Sequence, residues 1–165
     1  MDKISKTRVK KILEKEYIAK WKSELISIPK ARTFALHKQS YNFEPYLDLV
    51  KIRRHRVALS KLRLSDHALM IEVGRHSRPK IDVEQRVCKT CPDKIEDEPH
   101  FLVTCITKNY HKTFIDTITH NNPSYSDMNE REKYRYIMSA TDPLQLASTA
   151  YTIHTLFNEE VSILG

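Results

Sequence analysis

The residues best suited to chemistry in this chain lie between positions 88 and 105. All three cysteines, Cys88, Cys91 and Cys105, fall there together with His100, in the order Cys-x2-Cys-x8-His-x4-Cys. A Cys-x2-Cys turn can point two thiolates at one tetrahedral metal ion, and a histidine and a cysteine on the following segment can complete the set. We therefore predict one zinc ion per chain, about 2.3 Å from sulfur and about 2.0–2.1 Å from nitrogen. The alternative is three free cysteines beside an unrelated surface histidine.

This zinc ion would be structural. Four protein ligands leave no coordination position open for water, which a catalytic zinc ion requires. No catalytic group is predicted elsewhere, because the chain has no Tyr-x-Asp-Asp sequence and its two glycines cannot form a glycine-rich phosphate loop. We therefore expect a non-catalytic protein without a small-molecule substrate.

The composition predicts a mainly α-helical fold. Two glycines in 165 residues are few for the tight turns of a β-rich protein, and 40% hydrophobic with 30% charged residues is typical of a globular chain. We expect a helical domain stapled by the single zinc site, with a short turn or hairpin at Cys88–Cys91. Helices are predicted over residues 5–28, 44–50 with Pro45 in the first turn, 53–63 and 98–119, followed by two more that begin near 129 and 142. Ala58, Leu59 and Leu62 are expected to face the core, and Asn129 with Glu132 is expected to form a capping box. The chain accordingly divides into a basic amphipathic helix (1–29), a helical region with the zinc site (30–120) and a C-terminal helical pair (121–165).

The two terminal helices leave alternatives open. Apolar residues of the first recur every four positions, at Val9, Leu13, Tyr17, Trp21 and Leu25. We favour packing of this stripe on the body of the domain, with Trp21 as a core anchor; the basic tip, Lys3 to Lys11, could instead contact phosphate. The last helix has an apolar face from Leu146 to Leu164. It is expected to pack on the body, and the alternative is a partner protein.

Positive charge is concentrated before the cysteines. Residues 1–80 hold 20 Lys and Arg against 8 Asp and Glu, a net charge of +12, whereas residues 81–165 hold 8 against 13, a net charge of −5. Such asymmetry indicates a half that binds a polyanion. The predicted nucleic-acid contacts are Arg53, Arg54, Arg56, Arg63, Arg75, Arg78 and Lys80. Arg53, Arg56 and Arg63 are expected to share one side of their helix; the alternative is an ordinary solvated face.

The cysteine segment itself is not expected to read bases. Between Cys91 and His100 lie eight residues, three of which are the consecutive acids Glu96, Asp97 and Glu98. We predict that these acids repel phosphate, so that the metal joins a turn to the next helix and nucleic acid binds elsewhere.

A family resemblance is carried by three segments around the cysteines: Arg86-Val-Cys-Lys-Thr-Cys, Ile95-Glu-Asp-Glu and His100-Phe-Leu-Val-Thr-Cys. They resemble the zinc-binding segment near the C-terminal end of reverse transcriptases of non-LTR (LINE-type) retrotransposons. Four earlier segments are similar to the post-polymerase region of invertebrate transposon-derived reading frames: Ala31-Arg-Thr-Phe, Phe43-Glu-Pro-Tyr-Leu, His55-Arg-Val-Ala-Leu-Ser-Lys-Leu-Arg and Glu72-Val-Gly-Arg-His-Ser-Arg-Pro. The resemblance covers residues 30–110 best. It implies a polyprotein that nicks DNA and reverse-transcribes RNA, without implying that this segment performs either reaction.

Two functions follow as hypotheses. In the first, the chain is a non-catalytic, zinc-binding module of such a reverse transcriptase that contacts template RNA or target DNA through phosphates. In the second, it is a transposon-derived host protein that acts as a protein-interaction adaptor through its C-terminal helix and binds no nucleic acid. Cysteines in a metal-like pattern favour the cytoplasm or nucleus. No apolar run approaches the roughly 20 residues that span a bilayer, so no membrane partner is expected.

Overall fold

A computed structural model describes residues 6–105 and 109–163, which form a mainly helical fold as the composition predicts. The helices are α1 (Lys6–Ser27), α2 (Phe34–His37), α3 (Tyr46–Leu49), α4 (Arg53–Arg63), α5 (Met70–His76), α6 (Asn109–Asn121), α7 (Glu130–Met138) and α8 (Pro143–Ile163). Single 3-10 turns cover Pro29–Ala31, Val83–Gln85 and Pro123–Asp127, and a π-helical turn covers His100–Thr104. No β-strand occurs within these ranges. None of the helices described is long and apolar enough to cross a membrane.

One core joins the middle of the chain to its C-terminal helices. The main packing is of α8 on α4. Buried in α4 are Ala58, Leu59 and Leu62, as predicted, and they belong to the same cluster as Leu146, Ala150, Ile153 and Leu156 of α8. The expectation that the last helix packs on the body is therefore confirmed for Leu146, Ala150 and Ile153, and Leu156 is buried beside them. The end of its predicted face, Leu164, lies outside the described residues.

Local signals in the sequence place several helix ends correctly. α4 has the predicted bounds, and Pro45 immediately precedes α3. The side chain of Asn129 accepts a hydrogen bond from the backbone of Glu132, whose carboxylate accepts one from the backbone of Asn129, at 3.0 and 2.9 Å. This reciprocal pair is the predicted capping box, and it satisfies two amides that the first turn of α7 would otherwise leave unpaired.

The N-terminal helix forms as predicted but does not pack as predicted. α1 has no buried side chain, and Val9, Leu13 and Tyr17 are exposed. Residues four apart advance by about 40° around a helix of 3.6 residues per turn, so five of them spread over about 160°. Such a stripe is too wide for one contact face. Trp21 is half buried against Tyr41, with ring centroids 5.5 Å apart, so its predicted role as a core anchor is wrong.

The predicted helix 98–119 is interrupted. It starts at Glu98 and continues as the π-helical turn, which ends at Cys105 with an extended backbone, φ −64° and ψ 116°. α6 then runs from Asn109 to Asn121. The amide of Cys105 donates to the carbonyl of His100 at 2.9 Å, a bond that spans five residues instead of four. The expectation of one continuous helix is therefore wrong.

The predicted hairpin around Cys88–Cys91 is present as a short loop closed by one antiparallel bridge between Val87 and Ile95. Two backbone bonds flank the bridge: the amide of Cys88 donates to Lys94 at 2.8 Å and the amide of Glu96 donates to Arg86 at 2.9 Å. This one bridge closes the loop that carries Cys88 and Cys91 and directs both thiols toward the same point.

Arg86 anchors this hairpin to α5. Its buried guanidinium donates to the carbonyls of Ile81, at 2.7 and 2.9 Å, and of Ile71, at 3.0 Å. The side chain passes so close to Gly74 that a Cβ there would lie 2.7 Å from it. Gly74 is therefore required for close packing, because any larger residue would push Arg86 away.

Candidate metal centre

The four predicted ligands converge at one point. Cys88, Cys91, His100 and Cys105 are all buried, and one ligand atom of each lies within 4.8 Å of every other. The sulfurs of Cys88 and Cys105 are 3.9 Å apart. Two sulfurs at about 2.3 Å from a tetrahedral ion would be about 3.8 Å apart, so this pair already has the required separation. The described residues contain no other such group of potential ligands.

The π-helical turn brings His100 and Cys105 together. In an α-helix, residues five apart point about 140° away from each other. A π-helical turn has a hydrogen bond every five residues, so it returns position i+5 close to position i. The widened turn therefore places the imidazole of His100 and the thiol of Cys105 close together.

Hydrogen bonds orient His100 for metal binding through Nε2. Its Nδ1 lies 3.0 Å from the hydroxyl of Thr104, and that hydroxyl donates to Glu130 at 2.7 Å. Since the hydroxyl proton is committed to Glu130, Thr104 accepts the proton of Nδ1. In the neutral imidazole that binds a metal ion, Nε2 then carries the lone pair; this buried atom faces the thiols of Cys105 and Cys88. A second hydrogen-bonding partner of this kind is a regular feature of histidine metal ligands.

The sulfurs have polar support as well. The hydroxyl of Thr90 lies 3.2 Å from the sulfur of Cys88 and 3.8 Å from that of Cys105. Without a metal ion, the pKa of His100 is raised to about 9 by Cys105 and, against the effect of burial, by Cys88. Both observations describe a compact set of polar groups that interact with one another before any metal ion is bound. Thiolates and an imidazole are ligands suited to a first-row transition metal rather than to Mg²⁺ or Ca²⁺.

The three acids beside the site each bind other groups of the protein. Glu98 is fully buried and binds Arg32 through both carboxylate oxygens, at 2.9 and 2.8 Å, while Ser65 and His67 bind the first oxygen at 2.6 and 3.0 Å. Burial alone would raise the pKa of Glu98, but the hydrogen bond of His67 and the charge of Arg32 lower it to about 2. Glu98 therefore connects the start of the helical segment that carries His100 to Arg32 and to the segment 65–67.

The other two acids bind backbone amides. Glu96 accepts from the amide of Met70, at the start of α5, at 2.7 Å, and Asp97 accepts from the amide of His100 at 2.9 Å. Burial raises the pKa of Asp97 although that hydrogen bond opposes it. All three carboxylates thus bind groups of the protein itself, but Glu96 and Asp97 stay partly exposed, and the repulsion of phosphate stays a prediction.

The predicted nucleic-acid residues do not form one surface. Arg63 is buried: it donates to Met138 O at 2.6 Å, pairs with Glu44 at 2.5 Å and stacks over Tyr46 at 4.9 Å. The expectation that it shares an exposed side with Arg53 and Arg56 is wrong. The helix face that carries Arg63 is covered, and the buried guanidinium is stabilised by Glu44.

Two further predicted residues are partly occupied. Arg56 donates to Val50 O, at the end of α3, at 2.8 Å. Arg75 pairs with Glu72, which also binds Arg32. The remaining four, Arg53, Arg54, Arg78 and Lys80, are exposed, and no ion pair is found for any of them within the described ranges. Of the seven predicted residues, these four are therefore the most available to bind an external anion.

Arg53 and Arg54 line a groove that sequence patterns do not reveal, the α4/α8 groove. Its lining residues are Ile52, Arg53, Arg54, Val57, Ala58 and Lys61 of α4 and its start, and His154, Phe157 and Asn158 of α8. None of them is acidic. Arg78 and Lys80 do not belong to it. The α8 contribution could not be found by sequence reasoning, because it requires knowing which face of α8 lies beside α4.

A short aromatic contact links the groove to the metal centre. Phe101 follows the ligand His100 and stacks on Phe157 of α8, with centroids 5.2 Å apart and an interplanar angle of 21°. His67, which binds Glu98, lies 6.3 Å from the same ring. One wall of the groove is therefore held by residues adjacent to the metal ligands.

Comparisons with known proteins add no relative. No protein-family model matches the chain, and neither curated proteins nor solved structures yield a significant match. The likeness to reverse-transcriptase segments accordingly stays a resemblance of motifs, and any function has to be argued from the residues themselves.

Proposed function

We propose that this chain is a non-catalytic nucleic-acid-binding module whose helices are joined by one structural zinc ion. The role is that of an accessory segment of a non-LTR retrotransposon reverse transcriptase, contacting template RNA or target DNA in the cytoplasm or nucleus. The observation that carries the proposal is the α4/α8 groove, where Arg53, Arg54 and Lys61 are exposed among lining residues that include no acid.

Charge placement supports phosphate binding. The first 80 residues have a net charge of +12, and two of their acids, Glu44 and Glu72, are engaged with Arg63 and Arg75 inside the fold. The exposed arginines therefore keep their charge for a partner in solution. Guanidinium groups bind phosphate bidentately, without selecting a base sequence.

The donor set supports zinc. Three thiolates and one imidazole form a closed four-ligand site, the arrangement of structural zinc centres. Elemental analysis of protein purified under reducing conditions without chelator should give one zinc ion per chain. Protein prepared in this way without any bound metal would contradict the zinc assignment.

The adaptor hypothesis has less support. It requires an available apolar face on the C-terminal helix, but Leu146, Ala150, Ile153 and Leu156 are buried against the rest of the chain. Docking of a partner to this face would need the core to open first.

The nucleic-acid proposal is tested with two charge-reversal pairs. Arg53→Glu with Arg54→Glu should weaken binding to random-sequence RNA and DNA and flatten the salt dependence by about 0.7–0.9 log unit for each phosphate that the protein no longer neutralises. The control pair, Lys112→Glu with Arg131→Glu, changes the net charge equally but at exposed sites of α6 and α7. Fluorescence anisotropy at several salt concentrations measures both.

The outcomes separate the two hypotheses. If the groove pair weakens binding and the control pair does not, the groove carries the interaction. If unchanged protein shows no affinity for nucleic acid at low salt, the proposal is refuted and the adaptor hypothesis gains.

A further inference from the structure

The α4/α8 groove has an apolar floor that phosphate binding does not explain. Ile52 and Val57 are exposed although they are apolar, and Phe157 lies beside them on α8. Exposed apolar side chains scattered singly are ordinary, but here they line one depression together. A ligand that fills this groove must therefore offer an apolar surface as well as negative charge.

The cations are spaced along the rim. Arg53 and Arg54 stand at the start of α4 and Lys61 stands two turns further on. Eight residues of α-helix correspond to about 12 Å, so the rim can contact more than one phosphate of the same strand. On the opposite wall, the amide of Asn158 and the ring of His154 are hydrogen-bonded to each other, 3.2 Å apart.

We propose that the α4/α8 groove binds single-stranded nucleic acid, with phosphates on the cationic rim and an unstacked base against Ile52, Val57 and Phe157. This inference rests on the proposed function and adds the form of the ligand. Bases of a duplex are stacked and paired, so they cannot enter a groove between two packed helices whose axes are typically 8–10 Å apart. A single strand presents a free base face, and packing against it is largely independent of sequence.

An acidic amphipathic peptide would also combine charge with apolar surface. The nucleic acid is favoured because exposed cations extend beyond the groove to Arg78 and Lys80, in a half of the chain with a net charge of +12, which suits a long polyanion better than a short peptide. The peptide is retained as an outcome of the test.

The test separates the floor from the rim. Ile52→Asn with Val57→Asn removes the apolar floor without changing charge. The control, Leu64→Asn with Val73→Asn, is matched in exposure, since Ile52 and Val57 are 51% and 41% exposed and Leu64 and Val73 are 49% and 42% exposed. Affinities are measured for an oligothymidine and an oligouridine, each as a single strand and as a duplex with its complement.

The floor variant should bind the single strands about tenfold more weakly, with little change for the duplexes, while the control pair leaves both unchanged. Equal affinities of the floor variant and the unchanged protein for single strands would overturn the inference. If unchanged protein binds duplex and single strand alike and still responds to Arg53→Glu with Arg54→Glu, only the inference fails. If it binds neither, the proposed function fails with it.

A second measurement does not depend on any variant. Cross-linking of a 4-thiouridine oligonucleotide to unchanged protein should label groove residues such as His154 or Phe157. Labels confined to α1 or to residues 78–80 would place the strand elsewhere. A polyglutamate peptide that outcompetes the oligonucleotides and loses affinity on Ile52→Asn with Val57→Asn would assign the groove to a protein partner.

Discussion

The most informative single residue is Thr104, which decides how His100 can act. It lies four residues after His100 on the same helical turn, accepts a hydrogen bond from Nδ1–H and donates one to Glu130 of α7. The relay keeps Nε2 as the metal-binding nitrogen and ties the ligand to a second helix. A residue outside the metal's direct ligands therefore controls the ligand's tautomer and direction.

Thr104→Val should weaken metal affinity by about 10–100-fold while leaving the four ligands in place. The valine keeps the shape of threonine but cannot accept the Nδ1 proton. Competition with a colorimetric zinc chelator measures the change. Thr113→Val is the control, because Thr113 is an exposed threonine on α6 outside the metal site. An equal affinity of the Thr104 variant and the unchanged protein would show that the relay is dispensable.

His37 is a buried histidine whose environment lowers its pKa. It packs between Phe34 and Tyr134, with ring centroids 5.3 and 6.2 Å away. Burial and the charges of Arg63 and Lys38 lower the pKa of His37 to about 3. The backbone of Thr33 acts in the opposite direction, with a smaller effect than burial. Folded protein therefore keeps His37 neutral where unfolded protein would protonate it.

His37 should make stability fall with acidity. Its folded pKa is below the ordinary value of 6.5, so its contribution is complete above about pH 6.5 and is lost as the pH falls toward 3. The loss should be about 1.4 kcal/mol per pH unit within this window. Urea unfolding between pH 7 and 5 gives the free energy of unfolding of the unchanged protein and of His37→Phe. Any loss of metal at low pH affects both proteins, so it cancels in the difference between them. Parallel pH profiles would contradict the predicted role.

At the scale of elements, the candidate metal centre joins two neighbouring segments, each of which is bonded to another helix. The hairpin 86–96 supplies Cys88 and Cys91, the π-helical turn supplies His100, and the residue that ends this turn is Cys105. Arg86 connects the hairpin to α5, and Glu130 connects the ligand turn to α7. A bound ion would therefore cross-link the hairpin to the π-helical turn and, through Arg86 and Thr104, connect α5 with α7.

Loss of the ion should lower the thermal midpoint by at least about 10 °C, because several kcal/mol of folding free energy depend on it. Cys105→Ser and treatment of unchanged protein with a strong chelator should have similar effects in circular dichroism melts. Chelator added to the Cys105→Ser protein serves as the control and should change nothing further. An unchanged midpoint in metal-free protein would show that the helices are stable alone.

At the scale of the whole molecule, α1 stands apart from the core. It buries no side chain, and its recorded ring contacts are those of Tyr17 and Trp21 with Tyr41. α8, by contrast, contributes four fully buried residues to the core. The two terminal helices are similar in length, 22 and 21 residues, but very unequal in their contribution to stability.

Deletion of residues 1–27 should therefore cost no more than about 1–3 kcal/mol, the value of two exposed aromatic contacts. Deletion of α8 from Pro143 onward should abolish cooperative unfolding, because it uncovers the core face of α4. Urea unfolding followed by circular dichroism compares the two truncations and avoids relying on the single tryptophan, which the first one removes. Complete unfolding of the first truncation would show that α1 is a structural element.

The sequence alone predicted the four residues that converge as potential metal ligands, the bounds of α4, the capping box of α7 and the helical class. Each of these depends on residue type and on spacing over a few positions. Only the tertiary structure decided that Arg63 turns inward to Glu44, that the acids 96–98 bind inside, that α1 is uncovered and that α8 completes a cationic groove. The physical reason is that burial depends on which distant element covers a face. A local period shows which residues share a side of a helix; it does not show what lies opposite.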